Sequence, residues 1–172
     1  MILSEMYDTY YENTGFTTIR SSVRGLVRKD NLYAMIHIKC NDGFGERDHY
    51  EISGGGIEKG EDEKTALKRE LLEEVGFGVK IEKKIGTIID RWNLLERINV
   101  HHFYVCELIF EEEPQLTDYE KEVIVGVEWH TLDEWAEILS KETTGINAMI
   151  HQRELIVINE IKKKRKLIRF FI

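Results

Sequence analysis

The chain has 172 residues, 42% hydrophobic and 33% charged, a size and balance that suit one packed domain and show no compositional sign of general disorder. Its formal net charge of -8 at pH 7 argues against a protein that grips nucleic acid by its phosphates, and an enzyme of this charge acting on polyphosphates would need a cation between itself and its substrate. Cys40 and Cys106 stand far apart and form no CxxC pair, which disfavours a zinc site or a disulfide framework and makes a reducing cytoplasm the expected location.

The opening stretch MILSEMYDTYYENTG lacks a basic segment followed by a long apolar run, and nothing later reaches the ~18 apolar residues of a membrane span. Secretion and membrane insertion are both disfavoured. Thr17 to Val27 and Leu32 to Lys39 flank the turn-like RKDN and read as two strands of a hairpin. After the polar, glycine-bearing CNDGFGERD comes a short third strand, His49 to Ser53. From Asp62 to Val75 the apolar period turns helical, with Leu67, Leu71, Leu72 and Val75 on one side, and Gly76 ends the helix. Strand character returns in VKIEKKIGTIIDRW and again from Ile98 to Phe110, where alternate residues share a face. EEEPQLTDYEKE, with the only proline, reads as an exposed loop, and VIVGVEWHTL as a strand. TLDEWAEIL begins a helix capped by Thr131 or Asp133, and a longer helix is expected from about 146 to 168. The sum is an α+β fold, helices packed on a mixed β-sheet, as one domain over 1–172.

On a helical wheel at ~100° per residue, Glu70, Glu73 and Glu74 share one face, nearly opposite Leu71, Leu72 and Val75. Left alone, like charges so spaced repel by roughly 0.2–0.5 kcal/mol per pair. Such acidic faces are usually solvated surface, yet a bound divalent cation would reverse the sign. Carboxylate oxygens without histidine or cysteine favour magnesium or manganese over zinc, and magnesium readily shares its sphere with phosphate. The glycines ahead of the helix let the backbone turn sharply and approach a ligand closely.

The stretch from Gly55 to Phe77 resembles the Nudix box, G-x5-E-x7-R-E-U-x-E-E-x-G-U, where U is a bulky aliphatic or aromatic residue. Gly55, Glu61, Arg69, Glu70, Leu71, Glu73, Glu74, Gly76 and Phe77 fill every specified position. The order of strands and helices around the box is similar to the Nudix α/β/α sandwich. The resemblance implies a metal-dependent hydrolase, using magnesium or manganese, that directs water at phosphorus and cleaves a phosphoanhydride in a nucleoside diphosphate linked to another group. It makes Glu70 and Glu74 metal ligands, with Glu73 sharing metal binding or water activation and the Gly55 carbonyl as a further ligand. Arg69 would orient the carboxylates and Glu61 would support the box. Glu120 and Glu122 are candidates for a general base on a later loop, against the alternative of a solvated acidic loop. Many family members carry Leu-Pro before the glycines, whereas this chain has Ile52 and Ser53.

Outside the box, Arg20 and Arg24 share one strand face and are candidates to meet a phosphate or a carboxylate, with surface solvation the default. Tyr50, Trp92 and Phe103 could stack on a base, though strand aromatics are more often core. His101 and His102 are adjacent in a strand and point to opposite faces, so they form no simple two-histidine metal site. The run Lys162 to Lys166 reads as cations at a helix C-terminus, and the apolar 167–172 as docked on the domain or in a homodimer interface. Isopentenyl-diphosphate isomerase chemistry ranks low, because no cysteine and glutamate arrangement for it is evident. The alternative from another class is a nucleotide-binding sensor without turnover, which would not need the complete glutamate helix. The expected partner is a small nucleotide-diphosphate substrate. Nucleic acid is disfavoured except as a capped RNA 5′ end.

Overall fold

The computed structural model describes residues 1–169, with side chains through Arg165, so the expectation for 167–172 lies outside the described side chains. Among the described residues, seven strands form one mixed sheet: β1 (Ile2–Tyr7), β2 (Thr18–Lys29), β3 (Leu32–Asp42), β4 (Gly45–Glu51), β5 (Phe77–Trp92), β6 (Arg97–Glu111) and β7 (Ile124–His130). Their order is β1-β5-β6-β2-β3-β4, with β7 on β3. β1 runs parallel to β5 and β2 parallel to β6, while β5–β6, β3–β4 and β3–β7 are antiparallel.

Side chains alternate across the strands, so each strand feeds two cores. On one face, Val23, Val27, Ile36, Tyr104 and Cys106 pack under α1 (Glu63–Val75), which buries Ala66, Leu67, Leu71 and Val75. On the other, Leu26, Met35, Ile88 and Phe103 pack under α3 (Leu132–Leu139) and α4 (Gly145–Arg169), which supply Trp135, Leu139, Ile150 and Val157. Burying each leucine- or isoleucine-sized side chain contributes roughly 1.5–3 kcal/mol, so the sandwich is held from both sides of the sheet. The α+β architecture follows from that two-sided burial, and no described helix is long and apolar enough to cross a membrane.

Several local expectations need correction. β1 lies in the stretch where no element was expected; it is stabilised by pairing with β5, a partner some eighty residues away that no local pattern reveals. β4 begins at Gly45, inside the expected loop, because Asp42–Gly45 already starts its ladder with β3. EEEPQLTDYEKE is not all loop: Asp118–Val123 forms α2, nucleated by a capping box in which Thr117 and Glu120 bond each other's backbone. Both faces of β6 are covered at its centre, with His101, Phe103 and Val105 buried opposite Tyr104 and Cys106.

The correction that matters for function concerns the first hairpin. β2 and β3 pair only at Arg28–Tyr33 and Lys29–Leu32, then diverge, since β3 is taken up by β4 and β7. The edge that β2 loses is filled by the glycine loop after β4: Ser53 O accepts from Gly25 N–H at 2.9 Å, Gly55 O accepts from Val23 N–H at 2.9 Å, and Ile57 N–H donates to Ser21 O at 3.1 Å. The loop becomes a surrogate strand. That is why Gly54 must be glycine: its φ is 140°, and a Cβ there would lie 2.1 Å from Val23 O.

Candidate active site

The divergence of β2 from β3 opens a cavity of about 350 Å³ beside the loop. One wall carries Glu70 and Glu74 of α1 with Gly54, Gly55 and Gly56; the other carries Arg20, Ser22 and Arg24 of β2, Arg47 and Glu51 of β4, and His101 of β6. Tyr119 and Glu120 of α2 close a third side. Carboxylates and guanidiniums thus face one space.

The helix reaches this wall because its ends are fixed. Asp62 caps the N-terminus by accepting from Lys64 and Thr65 N–H at 2.8 and 3.1 Å, and Gly76, at φ 69°, returns its N–H to the last carbonyls. Arg69 then ties helix to loop. Its Nε and Nη2 grip Glu61 at 3.0 and 2.9 Å, Nη1 reaches Glu70 at 2.9 Å and Glu73 at 3.1 Å, and Nη2 also donates to Gly56 O at 3.1 Å. Glu61 is held below the ordinary carboxylate range, first by the hydrogen bond from Arg69.

Glu74 turns the other way. Its Oε2 accepts from Ser53 Oγ at 2.5 Å and Gly54 N–H at 2.8 Å. Ser53 therefore has a use at the position where many proteins with this box carry proline: its hydroxyl holds the carboxylate, while Ile52 is fully buried. Desolvation nevertheless pushes the Glu74 carboxyl up to about 7, because its neighbour Glu51 repels a second charge and the two hydrogen bonds and Arg24 offset only part of the cost. Burial raises Glu70 as well.

A hard divalent cation is the natural counter-charge for such a pair. The donors suit it: carboxylate oxygens only, and a cradle at Gly55 so close that a Cβ would fall 2.2 Å from Glu70 Oε2. The Gly55 carbonyl keeps one lone pair free after serving Val23. Among the described residues no three His, Cys, Asp or Glu side chains stand together closely enough to hold an ion as placed, since Glu70 and Glu73 are turned to Arg69. The residues fit the cation in chemistry, and Glu70 and Glu74 both line the cavity.

The other residues singled out in the sequence fall into two groups. Arg24 lines the cavity, ion-paired and mostly buried rather than solvated: Nη1 donates to Ile52 O at 2.6 Å and lies 3.2 Å from Glu51. Arg20 lies over the loop, 3.2 Å from where a Gly56 Cβ would be. Glu120 lines the cavity with its carboxylate engaged by Thr117 N–H and Oγ1, both at 2.7 Å. Glu73 and Glu122 are exposed and outside the lining. Tyr50 faces away, donating to Glu128 at 2.9 Å and stacked on His37, where it lines a second cavity. Trp92 and Phe103 belong to the core.

Sequence reasoning missed Ser22, Arg47, Glu51 and Tyr119. His101 joins the floor through Ser22: its Nε2 lies 2.9 Å from Asp90 and its Nδ1 2.6 Å from Ser22 Oγ. Burial opposes the Asp90 charge, but the hydrogen bond from His101 and the charge of Arg153 outweigh it and hold Asp90 well below the carboxylate range. Asp90 therefore accepts from Nε2–H, Nδ1 accepts from Ser22, and His101 stays neutral down to about 4, chiefly through desolvation.

A family model, the NUDIX domain, matches residues 20–150. The fold is similar to that of a NUDIX hydrolase from Nitrosomonas europaea, with a TM-score of 0.63 and 17% identity over 84% of this chain and 89% of that one. It is also similar to a MutT protein from Methanosarcina mazei Go1, with a TM-score of 0.61 and 14% identity over 89% and 99%, and to a UDP-X diphosphatase, with a TM-score of 0.59 and 17% identity over 88% and 66%. No curated protein matches the sequence.

Proposed function

This chain belongs to the NUDIX family of hydrolases, and on that premise we propose that it cleaves the phosphoanhydride of a nucleoside diphosphate linked to another group, with magnesium or manganese held at Glu70 and Glu74. The observation that carries the reading is the shared cavity, in which Glu70 and Glu74 face Arg20, Arg24 and Arg47 across one space. A diphosphate bound between them would have guanidiniums to meet its oxygens on one side, and Glu70 and Glu74 to hold a charge-neutralising cation on the other. When bound, the cation neutralises phosphate charge and lowers the pKa of a coordinated water.

The chain's own residues then have separate tasks. Arg69 keeps Glu70 and Glu73 oriented while Glu61 holds Arg69 in place. Ser53 and Gly54 fix the second Glu74 oxygen so that the first is left for the cation. Glu73 and Glu122 are exposed beside the site and Glu120 lines it; of the three, Glu120 stands nearest the cavity but its oxygen is already committed to Thr117. No side chain need become covalently bound to phosphorus. The family's chemistry makes water the nucleophile, and the aromatic Tyr119, 57% exposed at the cavity, offers a surface for a base or sugar.

The test is a panel of nucleoside triphosphates, dinucleoside polyphosphates, ADP-ribose, nucleotide sugars and capped RNA, each with magnesium, manganese or chelator. Metal-dependent release of a nucleoside monophosphate from one class is the expected result. Tight nucleotide binding with no release from any compound would replace the hydrolase with a sensor.

A further inference from the structure

Arg24 is held by more than its own strand. One oxygen of Glu51, Oε2, lies 3.2 Å from Arg24 Nη1 and 3.1 Å from Nη2 of Arg153, which comes from α4 on the far side of the sheet. Arg153 is 2% exposed, and it also bonds Glu154 Oε1 at 2.5 Å and lies 3.4 Å from Asp90 Oδ2. The cavity floor is therefore a continuous ion-paired chain from α4 through Glu51 to Arg24.

Arg24 spends Nη1 on Ile52 O and Glu51 and places Nε 3.5 Å from His101 Nδ1. Its Nη2 takes part in none of these bonds, and Arg24 lines the cavity. A guanidinium so gripped holds its remaining nitrogen, Nη2, at a fixed height, which is what capture of a single phosphate oxygen requires. Burying an arginine and a glutamate side by side on α4 is also costly for a helix whose neighbours there are Val157, Ile158 and Ile150, and an apolar side chain would serve packing as well.

We propose that Arg153 is a positioning residue for the cavity: through the shared Glu51 oxygen it sets the Arg24 guanidinium, so that the free Nη2 meets a phosphate of the substrate. Glu51 is the joint of this arrangement, ionised at about 2 because the charges of Arg24 and Arg153 outweigh its burial. Arg153 itself touches no substrate. The inference rests on the phosphoanhydride reading of the cavity, and it adds a dependence of substrate capture on a helix that contributes nothing to the cavity lining.

The test uses the full chain and magnesium pyrophosphate as the probe, with affinity read by calorimetry, so that no turnover is needed. Arg24→Met is expected to weaken binding about tenfold, the loss of one charge-assisted contact. Arg153→Met and Glu51→Gln should weaken it to a similar degree, and the Arg24→Met/Arg153→Met double variant should bind no worse than either single one, because the second change acts only through the first. Arg153→Lys, which can hold Glu51 but not Asp90 and Glu154 together, should recover part of the loss. On whichever compound the panel identifies, the effect should fall on KM more than on kcat. Circular dichroism establishes that each variant is folded, and if Arg153→Met is not, Glu51→Gln carries the decision. A folded Arg153→Met that binds like wild type, or single losses that multiply in the double variant, overturns the proposal while leaving the cavity reading intact. A wild-type chain that does not bind pyrophosphate overturns the cavity reading and this proposal with it.

Discussion

Glu74 concentrates the residue-scale argument. Its carboxyl is desolvated, lies near the Glu51 charge, and is anchored through only one oxygen, so a divalent cation would offset a charge that burial disfavours. Glu74→Gln keeps the shape and the bonds from Ser53 and Gly54 but removes the charge. Turnover should fall at least about a hundredfold, since a lost ligand removes several kcal/mol of transition-state stabilisation; steady-state assays with magnesium decide it, and unchanged turnover would remove Glu74 from the cation site. Gly55→Ala should match that loss, because its Cβ would drive into the Glu70 carboxylate, and excess magnesium should not rescue it. The residues behind these two predictions were legible because the box fixes their spacing within one helix and its preceding loop. Glu51 and Arg153 were not: they lie 102 positions apart, and a charged residue on a strand or a helix reads as solvated surface until its partner is seen.

At the scale of elements, α1 is the piece whose boundaries must hold for Glu70 and Glu74 to reach the cavity. Its two ends should differ in what they cost to damage. Asp62→Ala loses two backbone bonds at an exposed cap and should lower stability by about 1 kcal/mol in urea titration. Gly76→Ala should cost several times more, because the left-handed φ alone penalises alanine by about 1–2 kcal/mol and the new Cβ would lie 1.9 Å from Glu112 O. Equal losses at the two ends would show that the contact with Glu112 relaxes freely. Both ends were readable in advance, since a cap and a terminating glycine are local signals. α2 was readable in principle, as Thr117 and Glu120 form the T-x-x-E of a capping box, but Pro114 and the surrounding charges gave a stronger loop signal for so short a helix. The splay of β2 from β3 left no local trace. It follows from competition for β3 by β4 and β7, and sequence proximity favoured a long hairpin instead.

Across the whole molecule, the buried ionisable groups pull stability in opposite directions as pH changes. His101 and His49 both fall to about 4, mainly through desolvation, so the unfolded chain binds their protons first and the stability they confer is present above about 6.5 and lost as pH falls toward 4. His102 and His151, lowered by burial, act in the same sense. Glu51 and Asp90, held low against their burial by ion pairing, extend the loss below the ordinary carboxylate range. Glu74 opposes them. Raised to about 7, it keeps its proton in the folded state between about 4.5 and 7, so its contribution is lost as pH rises through that window, and Glu70 and Glu154, raised by burial, add to it. His101 and His49, both at about 4, stand against the single Glu74 at about 7, so without metal the stability of the wild type should rise between pH 4.5 and 6.5. Glu74→Gln removes one opposing group: its rise should be steeper, and above pH 7 in chelator it should be more stable than wild type. Magnesium should then stabilise the wild type more than the variant, because the variant has lost the Glu74 charge and keeps only that of Glu70 for the cation. Urea midpoints at four or five pH values, with and without magnesium, measure all three effects, and parallel pH curves for the two proteins would mean that Glu74 does not carry the desolvated charge on which the cation site depends.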